Sequence, residues 1–187
     1  MWLATKAGAV MNQIMVVPYD PQWVHEFISA SNEVTATLGN NLLEVHHIGS
    51  TSIPEIHAKP VIDMLAIVTD ITIADEYSEQ MKSLGYEPMG EFGIEGRRYF
   101  RRDNAAGIRT HQIHTFQADS PQIPRHLAFR DFLRTHKDLA QQYSDLKQNL
   151  ANAHPYDMNA YMDGKDGFIK DMEKRALAWA ETDRPSS

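Results

Sequence analysis

Cysteine is absent from this chain, which excludes disulfides, thiol nucleophiles and cysteine-ligated zinc. No apolar run approaches the ~18 residues that a membrane span needs, so no membrane partner is expected. The first twelve residues carry one lysine and no long apolar core. They read as a flexible tail, not as a signal peptide. Positive charge is scarce as well. Lys and Arg number 18 against 25 Asp and Glu, and the net charge of -7 argues against nucleic acid as a partner. The absence of thiols fits a reducing compartment, so a cytoplasmic location is expected. Internal repeats and low-complexity tracts are missing too.

What remains is ordinary for a globular protein: 187 residues, 42% hydrophobic and 23% charged. A chain of this length can bury about 70% of its unfolded surface in one domain. Its composition divides it into an α/β core at 13–120 and a helical part of the same domain at 121–182, since no glycine occurs between Gly107 and Gly164. Residues 14–17, three of them β-branched, predict a first strand. Asp20 and Pro21 make a helix start, with Trp23, Phe27, Val34 and Leu38 at helical spacing to Gly39. Residues 42–48 and 61–68 read as strands, 73–84 as a second helix, and 97–102 with 108–116 as a hairpin. Three helices are expected at 124–135, 137–151 and 158–180, the last broken near Gly164. The fold class is then α+β: a mixed, mostly antiparallel sheet of about five strands with helices on one side, followed by a helical bundle.

One stretch stands out. The strand at 42–48 ends in the turn Gly49-Ser50-Thr51-Ser52, Lys59 follows before Pro60, and Asp63 then interrupts the apolar run Val61-Ile62-Asp63-Met64-Leu65-Ala66-Ile67-Val68. A buried carboxylate is costly unless a metal, a cation or a hydrogen-bond donor pairs with it. A strand, a Gly-Ser turn and an aspartate on a neighbouring strand form the layout of nucleotidyltransferase-type folds. The small turn lets backbone N–H groups approach a phosphate, and the hydroxyls add donors. The carboxylate holds a divalent ion against the same phosphates. The alternative is a plain turn with an aspartate that caps a loop.

Nine histidines are many for this length, and His46, His47, His57, His111 and His114 fall in the same half. On a strand, His114 shares a face with Gln112, and His111 shares one with Ile113. Asp63 with His114 and His47 makes a candidate set for a divalent metal, Mg²⁺, Mn²⁺ or Zn²⁺, the histidines suiting Zn²⁺, Mn²⁺ or Ni²⁺ better than Mg²⁺. His114 is otherwise a candidate general base, or a polar histidine bonded to backbone. In Arg97-Arg98-Tyr99-Phe100-Arg101-Arg102, alternate arginines face opposite ways. Arg98 is the expected phosphate contact, against the alternative of an edge strand blunted by charge. Lys59 before Pro60 carries the same expectation, against the alternative of a surface lysine. Arg130 and Arg134, one helical turn apart, extend the basic surface with Asp131 orienting them. Lys165 is a further cation in the last helix.

The motifs His47-Ile48-Gly49-Ser50-Thr51-Ser52, Ala58-Lys59-Pro60-Val61-Ile62-Asp63, Gly96-Arg97-Arg98-Tyr99-Phe100, Arg109-Thr110-His111-Gln112-Ile113-His114 and Phe129-Arg130-Asp131-Phe132-Leu133-Arg134 occur in this order, with Tyr161, Lys165 and Phe168 behind them. In this the chain resembles the GrpB family from about Val16 to Ala178. The resemblance implies a nucleotidyltransferase-like fold. It also implies a link to nucleotides or coenzyme A, since the family's domain is sometimes fused to dephospho-CoA kinase. Three positions depart from the expected patterns. Leu65 stands where nucleotidyltransferases carry a second carboxylate, Glu55 where the family usually has glycine, and Gln112 where another histidine is expected. The expected function is nucleotidyl or phosphoryl transfer to a small acceptor from a nucleotide or CoA-type ligand. The alternatives are a binding or regulatory module without turnover and a metal-dependent hydrolase using Asp and His. The sequence leaves the oligomeric state open.

Overall fold

The computed structural model describes residues 13–182. The tail expected at 1–12 lies outside the described residues. Asp20 starts the first helix through its side chain, its Oδ1 accepting the Gln22 N–H at 2.9 Å. Helix α1 (Gln22–Leu38) buries Trp23, Ala30, Val34 and Leu38. A short turn leads into β1 (Leu42–Ile48), and the Gly-Ser turn and its loop lead into β2 (Ile62–Val68). Two short helices follow, α2 (Ile73–Glu76) and α3 (Ser78–Ser83), then β3 (Glu87–Pro88), β4 (Arg98–Asp103) and β5 (Arg109–Gln117). The chain closes with α4 (Gln122–Thr135), α5 (Lys137–Ala153) and α6 (Met158–Thr182).

The sheet order is β1-β2-β5-β4-β3. Among the described residues, only β2 and β5 run parallel; the other three pairs are antiparallel. The fold is therefore α+β, with a mixed, mostly antiparallel sheet of five strands and a C-terminal group of helices, as the sequence predicts. Side chains alternate along each strand, and this sets the two faces. On one face Ile62, Met64, Ala66, Val68, Phe100 and Ile113 pack against α1 and α3. On the other, Ile48, Leu65, Ile67 and Phe116 pack against Ile123 and Leu127 of α4. Helices thus cover both faces, not one. A sheet buried on both sides needs apolar side chains on both, and the unbroken run in β2 supplies them.

Three local expectations are corrected. Residues 14–17 form no strand; Val17 makes a single antiparallel bridge to Ala58, with both N···O distances 2.9 Å. The helix expected at 73–84 splits at Tyr77. Helix α6 runs unbroken through Gly164, where the missing side chain makes room for Leu150 of α5. Glu55 adopts φ +69°, a left-handed conformation that glycine tolerates and other residues rarely do. That explains why a glycine suits this position. Ile53 and Ile56 from the same loop join the core formed by Phe132, Leu133, Tyr143, Met172 and Ala176 of the last three helices. The loop between β1 and β2 is thereby fixed from below by the helical part.

Candidate functional site

The site is built from the turn upward. Ile48, the last residue of β1, pairs with Asp63 of β2, and Gly49 then turns away at φ +69°, ψ -176°. That region is essentially glycine's. A Cβ on Gly49 would also lie 2.9 Å from the Cβ and Cγ of Asp63. The glycine is therefore required twice, by backbone angle and by the carboxylate beside it. Two arginines of α4 hold the turn from behind. Arg134 donates from Nε and Nη2 to the Ser52 carbonyl at 2.9 and 2.7 Å, and Arg130 donates from Nη1 to the His47 carbonyl at 3.2 Å. These arginines fix the loop; they do not extend an open basic surface.

The hydroxyls of Thr51 and Ser52 are used inside the turn. Thr51 donates to the Val61 carbonyl at 3.0 Å and therefore accepts from His47 Nε2, also at 3.0 Å. Ser52 donates to the Gly49 carbonyl at 2.6 Å. Both residues are buried. Of the expected phosphate-binding group Gly49, Ser50, Thr51 and Ser52, only Ser50 lines the cavity in front of Asp63. Thr51 and Ser52 shape the turn instead.

That cavity measures about 160 Å³ and holds Ser50, Lys59, Asp63, Gln112, Lys147 and Lys165. Asp63 is the one position of β2 that is not buried, so the strand opens to the cavity through its carboxylate. Lys59, set beside it by a tight turn in which the Val61 N–H donates to the Lys59 carbonyl at 2.7 Å, is half-buried. Burial lowers its pKa while Asp63 pulls it back up. Lys165 of α6 feels the same two influences and also the charge of Lys59. Lys147 of α5 is 1% exposed, and its Nζ has no hydrogen-bond partner. It lies 4.3 Å from the centre of the Tyr143 ring. Burial, and next the charge of Lys165, bring its pKa down to about 7. Three lysines thus line the cavity of one carboxylate, and the most deeply buried of them has no hydrogen-bond partner at Nζ.

On the opposite side of Asp63 stands His114 of β5, with Nε2 4.0 Å from Asp63 Oδ1. Its Nδ1 faces Arg97 Nη1 at 3.4 Å. A guanidinium can only donate, so Nδ1 accepts and the ring proton sits on Nε2, facing the carboxylate. Arg97 is itself 6% exposed and held by the Glu91 and Phe92 carbonyls at 3.1 and 2.7 Å. His126 of α4 lies against His114, ring centres 5.4 Å apart. Burial first, and then the charge of His114, lower the pKa of His126 to about 3. Asp63 and His114 are close enough to share one ion, given ligand bonds of about 2.0–2.6 Å, but only once Nε2 has lost the proton it carries in this arrangement. Among the described residues, no group of three His, Asp or Glu side chains converges to hold a metal.

Strand parity corrects two further expectations. His47 pairs with Met64 and so faces α1, stacked on Phe27 with ring centres 4.8 Å apart. It does not share the face of Asp63 and His114 and makes no metal set with them. Burial lowers its pKa to about 4. Arg98 also points to the other face, where it donates to both oxygens of Asp75 at 2.6 and 2.8 Å. It does not reach the cavity; its neighbour Arg97 is the arginine beside His114. Nor is β4 an edge strand, since it lies between β5 and β3. His111 sits on the face away from Asp63, against Arg102, and His46 pairs with Glu44 at 2.6 Å. His57 lies in the loop, its N–H donating to Ser144 Oγ at 2.9 Å.

Lys147 and His126 do not stand out in the sequence, and Arg97 belongs to a run in which Arg98 is the expected contact. A signal for Lys147 exists nonetheless. It falls in phase with the buried residues Ala140, Tyr143, Ser144 and Ala151 of α5, a position where a lysine is out of place.

Comparison with known proteins agrees with this architecture. The chain is 42% identical over 167 residues to the UPF0157 protein YqkA of Bacillus subtilis (strain 168), covering 89% of this chain and 48% of that protein. It therefore spans about half the length of that relative. It is 25% identical over 193 residues to the dephospho-CoA kinase of Mycobacterium leprae (strain TN), covering 89% of this chain and 47% of that enzyme. The crystal structure of conserved protein GrpB from Enterococcus faecalis superposes with a TM-score of 0.86 at 45% identity, over 89% of this chain and 99% of that one. The profile of the family described as GrpB protein matches residues 13–175, and the chain belongs to the GrpB family.

Proposed function

We propose that this protein binds a nucleotide or CoA-type polyphosphate as a metal complex and transfers a nucleotidyl or phosphoryl group to a small acceptor. The observation that carries this reading is the buried Nζ of Lys147, without a hydrogen-bond partner, in the cavity of Asp63, Lys59 and Lys165. A protein leaves such a group unpaired only at a cost, and a bound anion removes that cost. The chemistry of the lining fits. Lys59, Lys147, Lys165 and Ser50 would hold phosphate oxygens. Asp63 would hold a divalent ion whose remaining ligands are phosphate oxygens and water, as is usual where a protein offers only one or two carboxylates. Such an ion neutralises phosphate charge. His114 stands on the far side of Asp63, its Nε2 4.0 Å from Oδ1, beyond hydrogen-bond distance. The likeness to a dephospho-CoA kinase adds CoA-type ligands to the candidates.

A second reading rests on Leu65. It lies on Asp63's face two residues on, fully buried among Ile48, Ile67 and Phe116. A single carboxylate cannot cage two ions, so the same pocket suits a binding or regulatory module without turnover. The hydrolase reading is weaker, because it needs the histidine set that His47 leaves. Thermal shift separates these outcomes. Nucleotide or CoA with Mg²⁺, Mn²⁺ or Zn²⁺ should raise the melting temperature of the wild type and not that of Asp63→Asn. At a concentration of 100 Kd the expected stabilisation is about 2.7 kcal/mol. Release of pyrophosphate or phosphate in the presence of small acceptors then marks transfer, and binding without release marks the module. If no nucleotide or CoA shifts melting with any of these metals, the reading fails.

A further inference from the structure

The cavity in front of Asp63 is not uniform along its length. Beside the buried Tyr161, helix α6 contributes Met158, Met162 and Lys165 to it. These positions, i, i+4 and i+7, lie on one face of the helix, and seven residues rise about 10 Å. One end of the strip is cationic, where Lys165 meets Lys59 and Lys147. The other end is apolar and open: Met158 is 39% and Met162 49% exposed. Beyond Met158 a second, open cavity of about 510 Å³ begins, which shares that methionine and includes Tyr156, itself 54% exposed. Exposed large apolar side chains grouped at the mouth of a charged cavity mark a contact surface.

We infer that the ligand is a nucleoside polyphosphate whose heterocycle lies on the Met158–Met162 strip, with Tyr156 beside it, while its phosphates enter the lysine end. This rests on the phosphate reading of the same cavity and adds to it a direction and a ligand class. Inorganic polyphosphates and sugar phosphates have nothing to place on the strip. A planar heterocycle does, because thioethers favour the edges and faces of aromatic rings, and an exposed tyrosine offers a stacking partner. The strip runs along one helix face from the apolar end to Lys165, as a heterocycle runs through its ribose to its phosphates. Met158, Met162 and Tyr156 are thus specificity-determining contacts, and none of them carries charge for the phosphates.

Isothermal titration of ATP, UTP and inorganic tripolyphosphate, each with Mg²⁺, tests this. The wild type should bind the nucleotides more tightly than tripolyphosphate. The double variant Met158→Ala, Met162→Ala should lose about tenfold in nucleotide affinity, the ratio expected for losing two thioether–ring contacts, with tripolyphosphate unchanged. Tyr156→Ala, at an exposed position that leaves the core intact, should show the same selective loss. Equal binding of tripolyphosphate and nucleotides by the wild type would overturn the inference and leave the phosphate site standing. So would variants that weaken both ligands alike or neither. If the wild type binds none of the three, the phosphate reading falls and the heterocycle strip falls with it.

Discussion

Gly49 shows how much of the site depends on one position. Its backbone angles belong to glycine, and any Cβ would collide with the carboxylate of Asp63. Gly49→Ala should therefore cost about 1–3 kcal/mol of stability from backbone strain alone. It should also displace Asp63 and abolish ligand-induced stabilisation. Urea unfolding measures the first effect and thermal shift with Mg-nucleotide the second; wild-type behaviour in both would refute the role given to Gly49. This position was legible in the sequence, because a glycine after a strand and before small hydroxyl residues reads as a tight turn. The separate fates of Ser50, Thr51 and Ser52 were not. All three are small and polar, and only tertiary contacts decide which hydroxyl is used inside the turn and which reaches the cavity. Glu55 was legible as an odd residue, and its left-handed φ supplies the reason.

The elements were read well where periodicity is strong and poorly where parity must be chosen. Strands β1 and β2 and helices α1, α4 and α5 lie within two residues of their expected bounds. Alternation in β4 splits the arginines into two sets, yet nothing in the sequence says which set shares a face with Asp63. The pairing of Tyr99 with His114 and of Arg101 with Gln112 settles it in favour of Arg97, Tyr99 and Arg101. The same ambiguity separates His47 from Asp63. Helix α4 has a role that its sequence pattern conceals: beside its apolar stripe it carries Arg130 and Arg134, which hold carbonyls on either side of the Gly-Ser turn. Hydrogen bonds from charged donors contribute about 1.5–3 kcal/mol, so Arg134→Ala should lower stability by that order. It should weaken nucleotide binding as well, although Arg134 lines no part of the Asp63 cavity. Calorimetric titration of the variant checks this. Full-strength binding would mean that the turn holds its shape without the clamp.

For the molecule as a whole, buried cations and imidazoles set the dependence on pH. Burial lowers the pKa of His47 and His111 to about 4 and of His126 to about 3, each from 6.5. Between pH 6.5 and 4 the unfolded chain therefore binds more protons than the folded one, and stability falls as pH falls through this window. Melting temperature should drop steadily from pH 7 to pH 4. Replacing His126 with Gln should flatten the slope, and a level profile in the wild type would contradict the burial of these rings. Lys147 acts in a different range. Its folded pKa of about 7 lies below the 10.5 of the free side chain. The penalty of burying it is full below pH 7 and fades as pH rises towards 10.5. The Nζ of Lys147 has no hydrogen-bond partner, and in the proposed function a phosphate oxygen supplies one. Lys147→Met tests this with one substitution, melted with and without Mg-nucleotide at pH 6 and pH 10. Without ligand, the variant should melt higher than the wild type, by roughly 4 °C at pH 6 and less at pH 10. With ligand at pH 6, the wild type should gain melting temperature and the variant should not, and the wild-type gain should shrink at pH 10, where Lys147 is neutral. A variant that melts lower than the wild type without ligand, or that is stabilised by nucleotide as strongly as the wild type, would contradict the account.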